Sequence, residues 1–186
     1  GPGVVEIPRP DIRDAAALAS AVEQTAHAFA SKADVVFQAT FFDGAFVGFA
    51  DFIVRTDDGR YQVRDSKLAR SAKVTSLLQL AAYYEQLQKM GIPTADTVSL
   101  ILGDGEVSEH DIRDILPVYR HRRERFAALI RERMAGPDAA RWGDPRYAIC
   151  AECDTCSAEI AVSLITVWAS STSCLSMATA SSVTGE

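Results

Sequence analysis

The chain has 186 residues, 48% of them hydrophobic and 24% charged, which suits one domain with a sizeable core and at most a short appendage. No run of about 18 uninterrupted apolar residues predicts a membrane span, so no membrane partner is expected. Against 25 Asp and Glu stand 19 Lys and Arg; the net charge of −6 argues against a chain that coats nucleic acid nonspecifically, yet leaves room for a local basic patch.

Gly1 and Pro2 resemble the remnant of a cleaved tag, so residues 1–3 are set apart and the native segment is expected from about Val4. No secretory signal follows them, which predicts a cytoplasmic chain. "DIRDAAALASAVEQTAHAFASK" (11–32) has Ala, Leu, Val and Phe at helical spacing and predicts a helix, with Asp11 as candidate N-cap. "VVFQATFF" (35–42) is rich in β-branched and aromatic residues; Asp43 and Gly44 supply a tight turn, and "AFVGFADFIVR" (45–55) returns. A second turn, "TDDG", leads into "RYQVRDSK" (60–67), completing an antiparallel meander of three strands.

"KVTSLLQLAAYYEQLQKMG" (73–91) predicts a second helix, ended by Gly91 with Pro93 beyond, and striped by Leu77, Leu80, Ala81, Tyr84 and Leu87. "DTVSLILGDG" (96–105) reads as an apolar strand of a sheet covered on both faces. "DILPVYRHRRERFAALIRERMAG" (114–136) predicts the last helix, whose "YRHRRERF" suits either a solvated face or a binding surface. The order α, β-β-β, α, β, α defines an α/β class with a mixed sheet. Residues 4–149 form the expected core, and 150–156 a cysteine segment. Residues 157–186 hold no Lys or Arg and 12 Ser or Thr, and read as a disordered tail or as a non-native terminus left by a frame shift.

Three of the four cysteines, Cys150, Cys153 and Cys156, fall in "CAECDTC", with Cys174 apart. Such tight C-x-x-C steps, without a secretory signal, suit metal or cluster ligation better than disulfides. Asp51 interrupts the otherwise apolar "GFADFIV", and an uncompensated carboxylate there is costly. Asp65 ends the neighbouring strand, so antiparallel pairing predicts that the two carboxylates meet. Two carboxylates suit a hard divalent cation such as Mg²⁺ or Mn²⁺, with the backbone carbonyl of Ser66 as a further oxygen. Lys67, two residues past Asp65, shares its face and can stabilise charge on a phosphate. D-x-K alone also describes an ordinary strand end. Gln79 and Tyr83 are neighbours on one helix surface, away from its apolar stripe; they can face the site or be a plain exposed pair. Arg70 and Lys73 add positive charge where a phosphodiester would approach.

"GFADFIV", "YQVRDSKLARSAK" and "QLAAYYEQL" resemble, in order and spacing, the acidic strand, D-x-K strand and Q-x-x-x-Y helix of RecB-like nucleases in the PD-(D/E)XK superfamily. The α-β-β-β-α-β order is similar to that superfamily's restriction-endonuclease-like core, and "GDPRYAICAECDTC" resembles the C-terminal cysteine group of its iron–sulfur branch. The resemblance is closest to members associated with DNA helicase modules. It implies a Mg²⁺- or Mn²⁺-dependent DNA nuclease acting in repair or processing. Asp51 and Asp65 would be metal ligands, Lys67 the catalytic lysine, and Gln79, Tyr83, Arg70 and Lys73 substrate-side residues. Cys150, Cys153 and Cys156 would be three ligands of a [4Fe–4S] cluster, zinc being the alternative. The implied partners are single-stranded or end-containing DNA and a helicase module. No cysteine precedes Cys150 to serve as the family's fourth ligand. Glu23 and His27 are the local candidates for the acid or histidine that family members carry on a helix before the sheet. A nucleic-acid-binding or scaffold module of the same fold, without turnover, is the other expectation.

Overall fold

The computed structural model describes residues 3–134, so the three clustered cysteines and the tail expected after them lie outside the described residues. The element order is β1 (Val4–Glu6), α1 (Ala15–Ala30), β2 (Val35–Phe42), β3 (Val47–Arg55), β4 (Tyr61–Ser66), α2 (Val74–Lys89), β5 (Thr97–Ile101), β6 (Val107–Asp111) and α3 (Ile112–Met134). The six strands form one mixed sheet in sequential order. β1–β2 and β4–β5 run parallel, with α1 and α2 as their crossovers, while the meander β2–β3–β4 and the pair β5–β6 are antiparallel. The mixed α/β class therefore holds. The chain divides into compact units at Arg120, and everything described below lies in Gly1–Arg120.

Two strands escape the sequence pattern, for different reasons. β1 has only three residues, too few to show alternation, and is held by pairing with the start of β2. β6, "VSEHD", is too polar to read as a strand, but an edge strand tolerates that composition.

α1 begins three residues later than a cap at Asp11 would allow. Asp11 is instead bound to Arg13, with an ion pair of 2.7 Å, while Asp14 Oδ1 accepts the Ala16 and Ala17 N–H groups, each at 3.0 Å. At the other end Lys32, with φ of 58°, closes the helix: its N–H donates to Phe29 O, and the Ala33 N–H reaches back to Ala28 O. A left-handed residue is the ordinary way to stop a helix.

The core is a single cluster that includes Val36, Ile53, Val63, Leu80, Leu87, Val98, Leu100 and Tyr119. α2 lies against β4 and β5, and every residue from Ala81 to Leu87 is buried. The apolar stripe expected on this helix is thus an envelope, because its flank is covered too: Glu85 takes Arg120 at 2.9 Å, and Gln86 donates to Asp43 at 3.2 Å.

The β2–β3 ladder has one gap. Pairing runs from Val35↔Val54 to Phe37↔Phe52 and resumes from Ala39↔Ala50 to Phe42↔Val47, leaving Gln38 and Asp51 unpaired opposite each other.

Candidate active site

β3 and β4 bring the two aspartates together. Their register ends at Phe52↔Arg64, so Asp51 and Asp65 stand opposite each other one position further on. Asp65 is 1% exposed; Asp51 is half-buried, and its Oδ2 accepts weak bonds from the Ser66 N–H at 3.4 Å and hydroxyl at 3.3 Å. Burial, then the adjoining Asp51 carboxylate, push the Asp65 carboxyl up to about 7, against the opposing pull of Lys67. Lys67 Nζ is 2.6 Å from Asp65 Oδ2 as an ion pair, yet off the line of a hydrogen bond, so this buried oxygen has a counter-charge and no aligned donor.

Lys67 is held from the other side by a relay that crosses α2. Its Nζ donates to Gln79 Oε1 at 3.1 Å, Gln79 Nε2 donates to the Tyr83 hydroxyl at 3.1 Å, and that hydroxyl donates to Phe49 O in β3 at 2.8 Å. The i, i+4 spacing on α2 puts Gln79 and Tyr83 in reach of each other. Each member fixes the next: the Tyr83 proton goes to a carbonyl, which turns the Gln79 amide and leaves its oxygen for the ammonium. Tyr83 is 3% exposed, and burial drives its hydroxyl up to about 12. The structure places Tyr83 inside the core rather than on an open surface: its ring packs against Phe41 and Phe46, and its hydroxyl orients Gln79. The backbone of β3 admits Tyr83 only because residue 48 is glycine; a Cβ there would lie 2.8 Å from Tyr83 Cε1. An isolated glycine inside a strand pattern is the signal that could have flagged this close approach.

The segment after Lys67 is pinned to the end of β5. The Lys67 N–H donates to Ile101 O at 2.9 Å, and the Gly103 N–H to Ala69 O at 3.1 Å. A Cβ on Gly103 would sit 2.2 Å from Leu68 O, a distance no side chain can occupy. Arg70 and Lys73 follow on this segment, both exposed and without an ion pair among the described residues. Glu23 and His27 are exposed on the side of α1 opposite its buried Ala21, Thr25 and Ala28, so α1 adds neither to the site.

The donor set at Asp51 and Asp65 fits a hard divalent cation. A buried carboxylate oxygen without an aligned donor, beside a second carboxylate, is the all-oxygen arrangement Mg²⁺ and Mn²⁺ accept. Among the described residues no three His, Cys, Asp or Glu side chains converge, so the carboxylates these residues bring to the site are two. Two carboxylates, one inside β3 and one near the end of β4, and a lysine, carried by an antiparallel meander and braced by the crossover helix, define a nuclease-type phosphodiesterase fold. The chain belongs to the PD-(D/E)XK nuclease superfamily, whose family model matches residues 10–160. No curated protein matches it.

Proposed function

We propose that the protein is a metal-dependent DNA nuclease of the RecB-like branch. The observation that carries this reading is the under-satisfied buried carboxylate of Asp65, set between Asp51 and the Lys67 ammonium. Asp51, Asp65 and the Ser66 carbonyl would hold Mg²⁺ or Mn²⁺, which when bound supplies Lewis acidity toward the scissile phosphate and a nucleophilic water. The Lys67 ammonium, aimed by Gln79, orients that water and stabilises the charge that grows on the phosphate. The water oxygen bonds to phosphorus opposite the departing 3′ oxygen and gives up a proton to solvent, while the P–O3′ bond breaks with its electron pair on O3′, which takes a proton from solvent to leave as the 3′ hydroxyl. Arg70 and Lys73 hold the flanking phosphates; their charges are unspent within the described protein. The substrate is DNA that is single-stranded or carries an end, the setting is repair or processing, and the partner is a helicase module. Cys150, Cys153 and Cys156 supply three thiolates to a [4Fe–4S] cluster, with zinc as the alternative.

Labelled single- and double-stranded DNA incubated with Mn²⁺ tests the reading. Cleavage by the wild type, lost in both Asp65→Ala and Lys67→Ala, is expected; binding without any cleavage would sink the enzyme and leave a scaffold module. That second reading is favoured by one observation, the exposure of Glu23 and His27, which leaves the site with two carboxylates. A visible absorption band in anaerobically purified protein separates iron–sulfur from zinc.

A further inference from the structure

Among the described residues, Gln38 is one of two non-glycine residues with positive φ, at 57°; the other, Lys32, is accounted for as a helix stop. Nothing comparable explains Gln38. It sits in the interior of β2, where extended backbone is the rule, and a left-handed conformation is unfavourable for any residue with a Cβ. Its place is specific: it faces Asp51 across the single gap in the β2–β3 ladder.

The gap changes the phase of the strands. Gly48 turns inward against Tyr83, and Ile53 turns inward opposite Val63, although five positions separate them. Unbroken alternation would put these two on opposite faces of the sheet. The shift falls where Asp51 is unpaired, so the distortion lies at a carboxylate of the site rather than at a sheet end. The surrounding structure supports it: the Thr40 N–H, two residues past Gln38, donates to Thr25 Oγ1 of α1 at 2.9 Å, and both threonines are fully buried. Backbone strain maintained in this way is concentrated at functional sites.

A left-handed position is least costly for glycine and next for asparagine. Glutamine adds a long side chain that gives no such help. That side chain is half-buried and its carboxamide makes no hydrogen bond among the described residues. Resting on the nuclease reading above, we infer that Gln38 is a further substrate-binding residue: its carboxamide, carried on the strand position opposite Asp51, is kept free to donate to the phosphodiester held there. A carboxamide N–H is a suitable donor for a non-bridging phosphate oxygen, and a bond to a charged partner is the kind that matters for affinity.

The test compares wild type with Gln38→Gly and Gln38→Asn. Three quantities are measured: thermal melting, affinity for an end-labelled DNA with Ca²⁺ replacing Mg²⁺, and KM and kcat with Mn²⁺. Gln38→Gly relieves the left-handed strain, so it should melt no lower than wild type; losing the carboxamide should weaken DNA binding about tenfold or more. Gln38→Asn keeps an amide and should recover part of that affinity. Wild-type affinity and turnover in Gln38→Gly would overturn the inference while leaving the nuclease reading intact. Weakened binding in a protein that never cleaves would uphold Gln38 and remove the nuclease reading alone. A wild type that binds no DNA at all would overturn both.

Discussion

Two aspartate–lysine pairs in this molecule have the same separation and opposite electrostatics. Asp43–Lys89 and Asp65–Lys67 each close to 2.6 Å. Partial burial pushes the Asp43 carboxyl up, but the Lys89 ammonium, the Ala45 N–H and the Gln86 amide outweigh it and hold the carboxyl at about 2. Asp65 is more deeply buried, its second neighbour is another carboxylate, and it is pushed up to about 7. Distance to a lysine therefore decides little; the number of aligned donors and the presence of a like charge decide the sign. The first pair is a satisfied tie between a turn and α2. The second is a buried carboxylate with a counter-charge but no aligned donor on its Oδ2.

Substitution should break the comparison most sharply. Asp65→Ala is expected to reduce Mn²⁺-dependent cleavage on the order of 10³-fold or more, whereas Asp43→Ala should leave it within about twofold, measured as initial rates on end-labelled DNA. Lys67→Ala should cost roughly 10²-fold in kcat, and Lys89→Ala nothing comparable. Tyr83→Phe leaves the Phe49 carbonyl without its donor and frees the Gln79 amide to turn, so a loss of about 1–3 kcal/mol in urea unfolding is expected, together with slower cleavage.

The smallest effect is on pH dependence. With chelator present and the pH rising from about 4 to about 7, folded Asp65 keeps a proton that the unfolded chain, at its ordinary 3.8, has released. Stability from this group therefore falls across that window and is lowest above it. Asp43 behaves oppositely: its contribution is present above 3.8 and lost as pH falls through about 2. Asp65→Asn should accordingly stabilise the chelated protein at pH 8 by about 0.5–2 kcal/mol, with the gain vanishing toward pH 4. Added Mn²⁺ should raise the melting temperature of wild type and not that of Asp65→Asn. A wild type whose chelated stability rises from pH 5 to 8 relative to Asp65→Asn would contradict the assignment.

Much of the site was legible because its chemistry breaks a pattern. Asp51 stands out as an acid within an apolar strand, and Asp65 and Lys67 as charges at the end of another; the short turn between the strands is enough to predict that they meet. The burial of Tyr83 was not legible, for the complementary reason. Spacing of i, i+4 reveals that Gln79 and Tyr83 touch, but not which way they face, and Glu85 and Gln86, which suggest a solvated side, are themselves buried. Asp11 looked like a cap because a carboxylate before an alanine-rich run is one; that Arg13 would claim it and Asp14 replace it depends on the turn between them. Gln38 left no mark at all, since "VVFQATFF" is an ordinary strand sequence and its distortion comes from tertiary packing.

Gly103 has no group that could bind, donate or react, and it lies well beyond Lys67 in sequence. A random mutational screen scored only on lost cleavage should nevertheless return it beside the aspartates and the lysine. A methyl group at position 103 would displace the Leu68 carbonyl and, through it, the backbone that carries the lysine. The active centre has thus acquired a member by what that member lacks, and a survey confined to reactive side chains would pass it by.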